Sequence, residues 1–191
     1  MTQTPKAKAL TSTSSRTRSI VFVALSVAII AVSAWVTVPI GPVPVTLQMF
    51  AIAFCILVLT PKQAMAAIVC YILLGAIGVP VFSGMRGGFG VLAGPTGGYI
   101  WGFVIAVAVA SAVLALFRSR NIDNLGIAVL VGMIFTVVAY ACGLAQYMAV
   151  AHVDFAAAFA VTVAPFVLID LGKVVCAAIV ARAVVRALPS K

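Results

Sequence analysis

Six apolar runs, cut apart by short clusters of lysine and arginine, decide what this chain can become. Of its 191 residues 65% are apolar and only 8% are charged, and the mean hydropathy is +1.30. A soluble domain does not tolerate that composition, so the bilayer is the solvent. The runs are approximately Ile20–Val38, Leu47–Leu59, Ala64–Val79, Tyr99–Phe117, Leu125–Val150 and Ala157–Ala181. A span needs about 20 apolar residues, so the second and third are short for a perpendicular crossing. The expected fold is an all-α membrane protein, a bundle of six transmembrane helices. Residues 1–18 are polar and basic, without a cleavable signal pattern, and are expected as a disordered tail. Residues 19–191 then form one transmembrane domain.

Charge sets the orientation. Lys6, Lys8, Arg16, Arg18, Lys62, Arg118, Arg120, Arg182, Arg186 and Lys191 all fall on one side of a six-span scheme. The other side receives Arg86, His152 and Asp154. Lysine and arginine mark the cytoplasmic side, so both termini are expected in the cytoplasm of a multi-pass protein of the cell membrane. The net charge of +9 is thereby accounted for by anionic headgroups, and nucleic acid is not expected as a partner. Cys55, Cys70, Cys142 and Cys176 lie inside apolar runs without CxxC spacing and read as small packing residues, not metal ligands.

Asp170 and Lys173 break the last run. From Ala160, at about 1.5 Å per residue, they lie about 15 and 20 Å along a helix, near mid-depth. A charge there costs about 2.5–3.5 kcal/mol on insertion scales. Three residues apart, they share a helix face and can partly neutralise each other. Two uses are open: an internal ion pair joining helices, or a ligand site using both signs.

Two segments on the non-cytoplasmic side resist reading as ordinary loops. Val38–Gln48 is apolar, yet its three prolines bar a helix. Val79–Tyr99 holds seven glycines and two prolines among valine, phenylalanine, methionine and leucine. Irregular backbone at membrane depth survives where protein buries it or it lines a cavity, so both are expected as structured loops.

Three acids and one histidine leave no paired-carboxylate, HExxH or Ser/His/Asp arrangement, so no enzyme is expected. No GxxxxGK[ST] occurs either, so any ATP is used elsewhere. Arg86 and Lys173 can fix a carboxylate, and Asp170 can accept from N–H donors on the same molecule. Trp35, Gln48, Phe82, Tyr99, Trp101 and Tyr147 are candidates for the walls, though each alone also fits packing or the interfacial belt. Thr96, Gly97 and Gly98 offer backbone N–H groups to an anion, or Thr96 simply caps the next helix. Ala24, Ala28 and Ala31 give the first span a small-residue stripe suited to a close partner helix.

The string from Gly78 to Phe103, with GPTGGY at its end, resembles the signature of the BioY family. PVPVTLQ at 42–48 and PFxxxDxxK at 165–173 resemble the same family in order and spacing. That family comprises biotin-binding S components of energy-coupling factor (ECF) transporters. The resemblance implies high-affinity capture of biotin from outside and docking of span one on a transmembrane coupling subunit driven by two ATPases. It also implies that Asp170 and Lys173 touch the substrate, whose carboxylate and ureido N–H groups suit both charges. Biotin is then a substrate, no cofactor is needed, and ATP serves the partner subunits alone. The competing readings are a solitary carrier that uses Asp170 to bind protons, and a binding-only adaptor in which Asp170–Lys173 is structural.

Overall fold

The computed structural model describes residues 5–39 and 43–187, with side chains from Arg16 onward. Its elements in order are α1 (Pro5–Trp35), β1 (Thr37–Val38), β2 (Val45–Thr46), α2 (Gln48–Val58), α3 (Pro61–Ala76) and α4 (Phe89–Ala93). They continue with α5 (Gly97–Ser119), α6 (Leu125–Ala151), α7 (Phe155–Thr162) and α8 (Val167–Ala187). The backbone of α1 is helical from Pro5, through most of the stretch expected as a disordered tail. Proline fits a first helical position, and no further proline or glycine interrupts the helix down to Trp35.

Among the described residues, three helices are long and apolar enough to cross a membrane: Arg16–Trp35 within α1, α5 and α6. The bent pair α7 and α8 makes a fourth if it counts as one span. Helices α2 and α3 are apolar but shorter, at 11 and 16 residues. Between them Thr60 forms a capping box with Gln63, and Pro61 opens α3. Gln63 Nε2 reaches Ser19 Oγ of α1 at 3.0 Å.

The sixth run departs from expectation. Instead of one helix over Ala157–Ala181, α7 and α8 meet at 50° across residues 163–166. Pro165 causes the break, since it has no N–H to donate and its ring obstructs the preceding turn. Tyr99 Oη donates to the Thr162 carbonyl at 2.8 Å, which satisfies one group that the break sets loose. Asp170 therefore lies in the first turn of α8.

Both irregular segments are structured over their described residues, with 40–42 lying outside them. Thr37 pairs with Thr46 and Val38 with Val45 in a two-strand antiparallel ladder. Residues 79–99 hold an antiparallel bridge between Phe82 and Arg86, closed through Gly84 and Met85 at positive φ, and then α4. Gly75 faces the Phe82 ring so closely that no Cβ fits there. The core joins Tyr71, Phe82 and Phe135, all fully buried, whereas Ile20, Ile77 and Leu168 are more than two-thirds exposed. Large apolar side chains facing outward match a lipid surround.

Candidate functional site

A pocket of about 720 Å³, counting its mouth, opens where β2, α2, α5, α6, the 79–88 loop and α8 converge. Gln48, Phe82, Arg86, Thr96, Tyr99, Asp170 and Lys173 all line it, so most candidates from distant parts of the sequence meet here.

Its polar centre is a relay. Lys173 Nζ donates to Asp170 Oδ1 at 2.7 Å and to the Thr46 carbonyl at 2.7 Å. Tyr140 Oη donates to Asp170 Oδ2 at 2.5 Å. Asp170 and Lys173 side chains are only 7% and 11% exposed, so a lone charge here would be costly. The ion-pair reading and the pocket reading thus describe one arrangement, with the pair held on the pocket wall. The start of α8 also places its positive dipole end near the Asp170 carboxylate.

A second polar chain lies beside it. Gln48 Nε2 donates to Tyr71 Oη at 2.9 Å, and Tyr71 Oη donates to the Val81 carbonyl at 3.1 Å. Gln48 is the first residue of α2, and its Oε1 has no donor among the described residues. Thr96 occupies the N-cap position of α5, yet its hydroxyl makes no capping bond. Thr96 is a lining residue of the pocket. Arg86 is exposed at the rim, where Nε donates to the Ser83 carbonyl at 3.2 Å. It has no carboxylate partner among the described residues. Apolar side chains line it too, among them Val45, Met49, Ile100, Phe103 and Phe166. The pocket therefore suits a small molecule that carries both hydrogen-bonding groups and an apolar part.

Several expected residues serve packing. A Cβ on Gly97 would strike the Leu92 carbonyl, and one on Gly98 would strike Cys142 and Gln146 of α6. These two glycines let α5 approach its neighbours and do not line the pocket. Trp35 donates from Nε1 to the Pro80 carbonyl at 2.8 Å, tying α1 to the 79–88 loop. Trp101 faces outward and Tyr147 packs on the core. On α1, Ala24 and Ala28 are exposed while Ala31 is buried, because that side of the helix packs against α2 and α3.

The model of the BioY family matches residues 4–190. This chain belongs to the BioY family. Among relatives, a Thermotoga maritima protein named "Biotin transporter BioY" is 37% identical over 155 residues, covering 78% of this chain and 85% of that protein. A Pyrococcus horikoshii protein named "Probable biotin transporter BioY" is 39% identical over 150 residues, with the same shares of the two chains. The fold is that of the crystal structure of "the S-component for biotin from an ECF-type ABC transporter". The TM-score is 0.82 at 20% identity, over 97% of this chain and 95% of that one.

Among the pocket residues of this BioY-family chain, Tyr140, Tyr71 and Thr46 escape sequence reasoning. Tyr140 is one of three hydroxyl side chains, with Thr136 and Tyr147, in an apolar span, so the sequence carries only a weak signal for it. Thr46 contributes through its backbone carbonyl, which no residue type announces.

Proposed function

We propose that this chain captures biotin in the pocket and serves as the substrate-binding S component of an ECF transporter. Family membership over nearly the whole chain carries the reading, supported by the names of its relatives and the fold neighbour. It is accordingly a transport subunit, not an enzyme. A transmembrane coupling subunit and ATPases are its partners, and ATP is used only there. Asp170 supports this over a solitary proton carrier, because both its oxygens already accept from Lys173 and Tyr140.

The inferred topology is six spans within residues 19–191, with both termini in the cytoplasm of a cell-membrane protein. Helices α2 and α3 cross as a short pair completed by the β1–β2 ladder and the 79–88 loop. The pocket then opens to the outside. On α1, Ala24 and Ala28 are the exposed small residues for coupling-subunit contact, and Ala31 belongs to the internal packing.

Within the pocket, charge balance assigns the ends of biotin. Lys173 is already neutralised by Asp170, whereas Arg86 has no described anionic partner, so Arg86 takes the carboxylate. Asp170 and the free Oε1 of Gln48 accept from the ureido N–H groups, and Thr96 offers a hydroxyl. Biotin also has an apolar chain, which suits the apolar part of the lining.

Radiolabelled biotin and purified protein test both levels. Saturable binding by the wild type is expected, with strong loss in Lys173→Ala and Asp170→Asn. Absence of wild-type binding would sink the function, and full affinity in both variants would sink the site. Biotin methyl ester distinguishes the ends: it should bind more weakly than biotin to the wild type and equally to Arg86→Gln.

A further inference from the structure

The opposite end of the bundle holds a second concavity. It lies between the end of α2, the α5–α6 turn and the end of α8, lined by Arg118, Arg182 and Arg186 and by the buried Leu57 and Leu114. Three guanidiniums meet one carboxylate. Asp123 holds Arg182 at 3.4 Å and Arg118 at 3.7 Å, and is itself half exposed. Arg118 also donates to the Leu57 carbonyl at 2.8 Å, capping α2. Arg186 lines the concavity with no anionic partner among the described residues. A positive surplus therefore faces a recess with a partly apolar lining.

A neighbouring cavity makes the recess more specific. It lies among Ile56, Leu59, Pro61 and Leu114, and shares Arg118 with the first. Ser111 faces it, 4% exposed, with a buried hydroxyl that has no hydrogen-bond partner. The other buried serine and threonine hydroxyls inside helices bond the carbonyl four residues back, as Ser26 does to Phe22 at 2.7 Å, Thr136 to Gly132 at 3.0 Å and Thr162 to Ala158 at 2.8 Å. An unmet donor in an apolar cavity lacks an acceptor that an occupant would bring. Ser111 lies about 10 Å along α5 from Arg118, counting seven residues.

We propose that this end of the molecule binds one anionic phospholipid. Its phosphate lies against Arg118, Arg182 and Arg186, a glycerol-ester carbonyl accepts from Ser111, and its chain covers Ile56, Leu59 and Leu114. Basic pockets between helices at the level of the headgroups have the chemistry for such lipids. A soluble anion would satisfy the arginines but neither the apolar lining nor Ser111.

Native mass spectrometry of the purified full-length protein tests this, titrating phosphatidylglycerol against phosphatidylcholine with the same chains. One phosphatidylglycerol per protein should be retained in preference to phosphatidylcholine. Arg182→Gln and Arg186→Gln should each weaken retention about five-fold, and Ser111→Ala should weaken it less. Arg120→Gln, at the same end but outside the recess, should leave retention unchanged. Biotin binding by the same samples reports folding and tests the other pocket separately. Should Arg182→Gln lose its fold, Arg186→Gln decides, since Arg186 has no described partner to lose. Equal retention of the two lipids, or an equal loss in Arg120→Gln, would overturn the proposal. So would displacement of the lipid by millimolar inorganic phosphate, which would mark a free-anion site. Unchanged lipid retention together with lost assembly on the ATPase partner would assign the recess to protein contact and likewise overturn it.

Discussion

The two ends of α8 carry charge clusters built on opposite principles. Near its start, Asp170 and Lys173 lie 2.7 Å apart and almost wholly enclosed. Tyr140 and a backbone carbonyl complete their hydrogen bonds. Near its end, Arg182 and Asp123 stand 3.4 Å apart, 24% and 50% exposed. In the enclosed cluster, losing one partner is costly because it leaves the other charge largely buried and unpaired. In the open cluster water and lipid headgroups can replace either partner. Enclosure, not charge, separates the pair on the pocket wall from an adaptable rim.

The sharpest way to break that contrast is to remove one member of the enclosed pair. Asp170→Asn or Lys173→Ala should cost about 3–5 kcal/mol of stability and abolish biotin binding, read by thermal unfolding in detergent and by ligand titration. An Asp170→Asn, Lys173→Met double variant should regain much of that stability without regaining binding. If the double variant is as unstable as the singles, the pair is not the source of the cost. Tyr140→Phe comes next, removing a charge-assisted hydrogen bond worth about 1.5–3 kcal/mol. It should lower both the melting temperature and the affinity, and an unchanged melting temperature would make Asp170 self-sufficient. Arg86→Gln should leave the melting temperature alone and weaken biotin about ten-fold, close to the worth of one charge-assisted contact. Smallest of all, Asp123→Asn should change stability by no more than about 1 kcal/mol, measured in the same unfolding assay. A loss as large as that of Asp170→Asn would erase the distinction between the two ends.

Much of this site is visible in the sequence because membranes make polarity conspicuous. Asp170, Lys173 and Gln48 stand out against apolar neighbours, and the glycines and prolines of 79–99 announce irregular backbone. What the pattern hides is direction. Gly97 and Gly98 look like an anion cradle, yet their missing side chains make room for Leu92 and α6. Ala24, Ala28 and Ala31 share a nominal stripe, and only the packing against α2 and α3 separates the last from the others. Pro165 was an available sign of the broken helix, but an apolar run of full span length masks it. The Thr46 carbonyl has no residue signature at all.

The bond from Lys173 to Thr46 joins positions 127 residues apart. During synthesis the early hairpin and α2 leave the ribosome long before α8 exists, so the polar wall of the pocket stays open until the final helix inserts. A chain halted before α8 would keep most of its helices and none of its enclosed charge pair. The closed polar wall of the pocket is therefore the last feature this protein acquires as it is made.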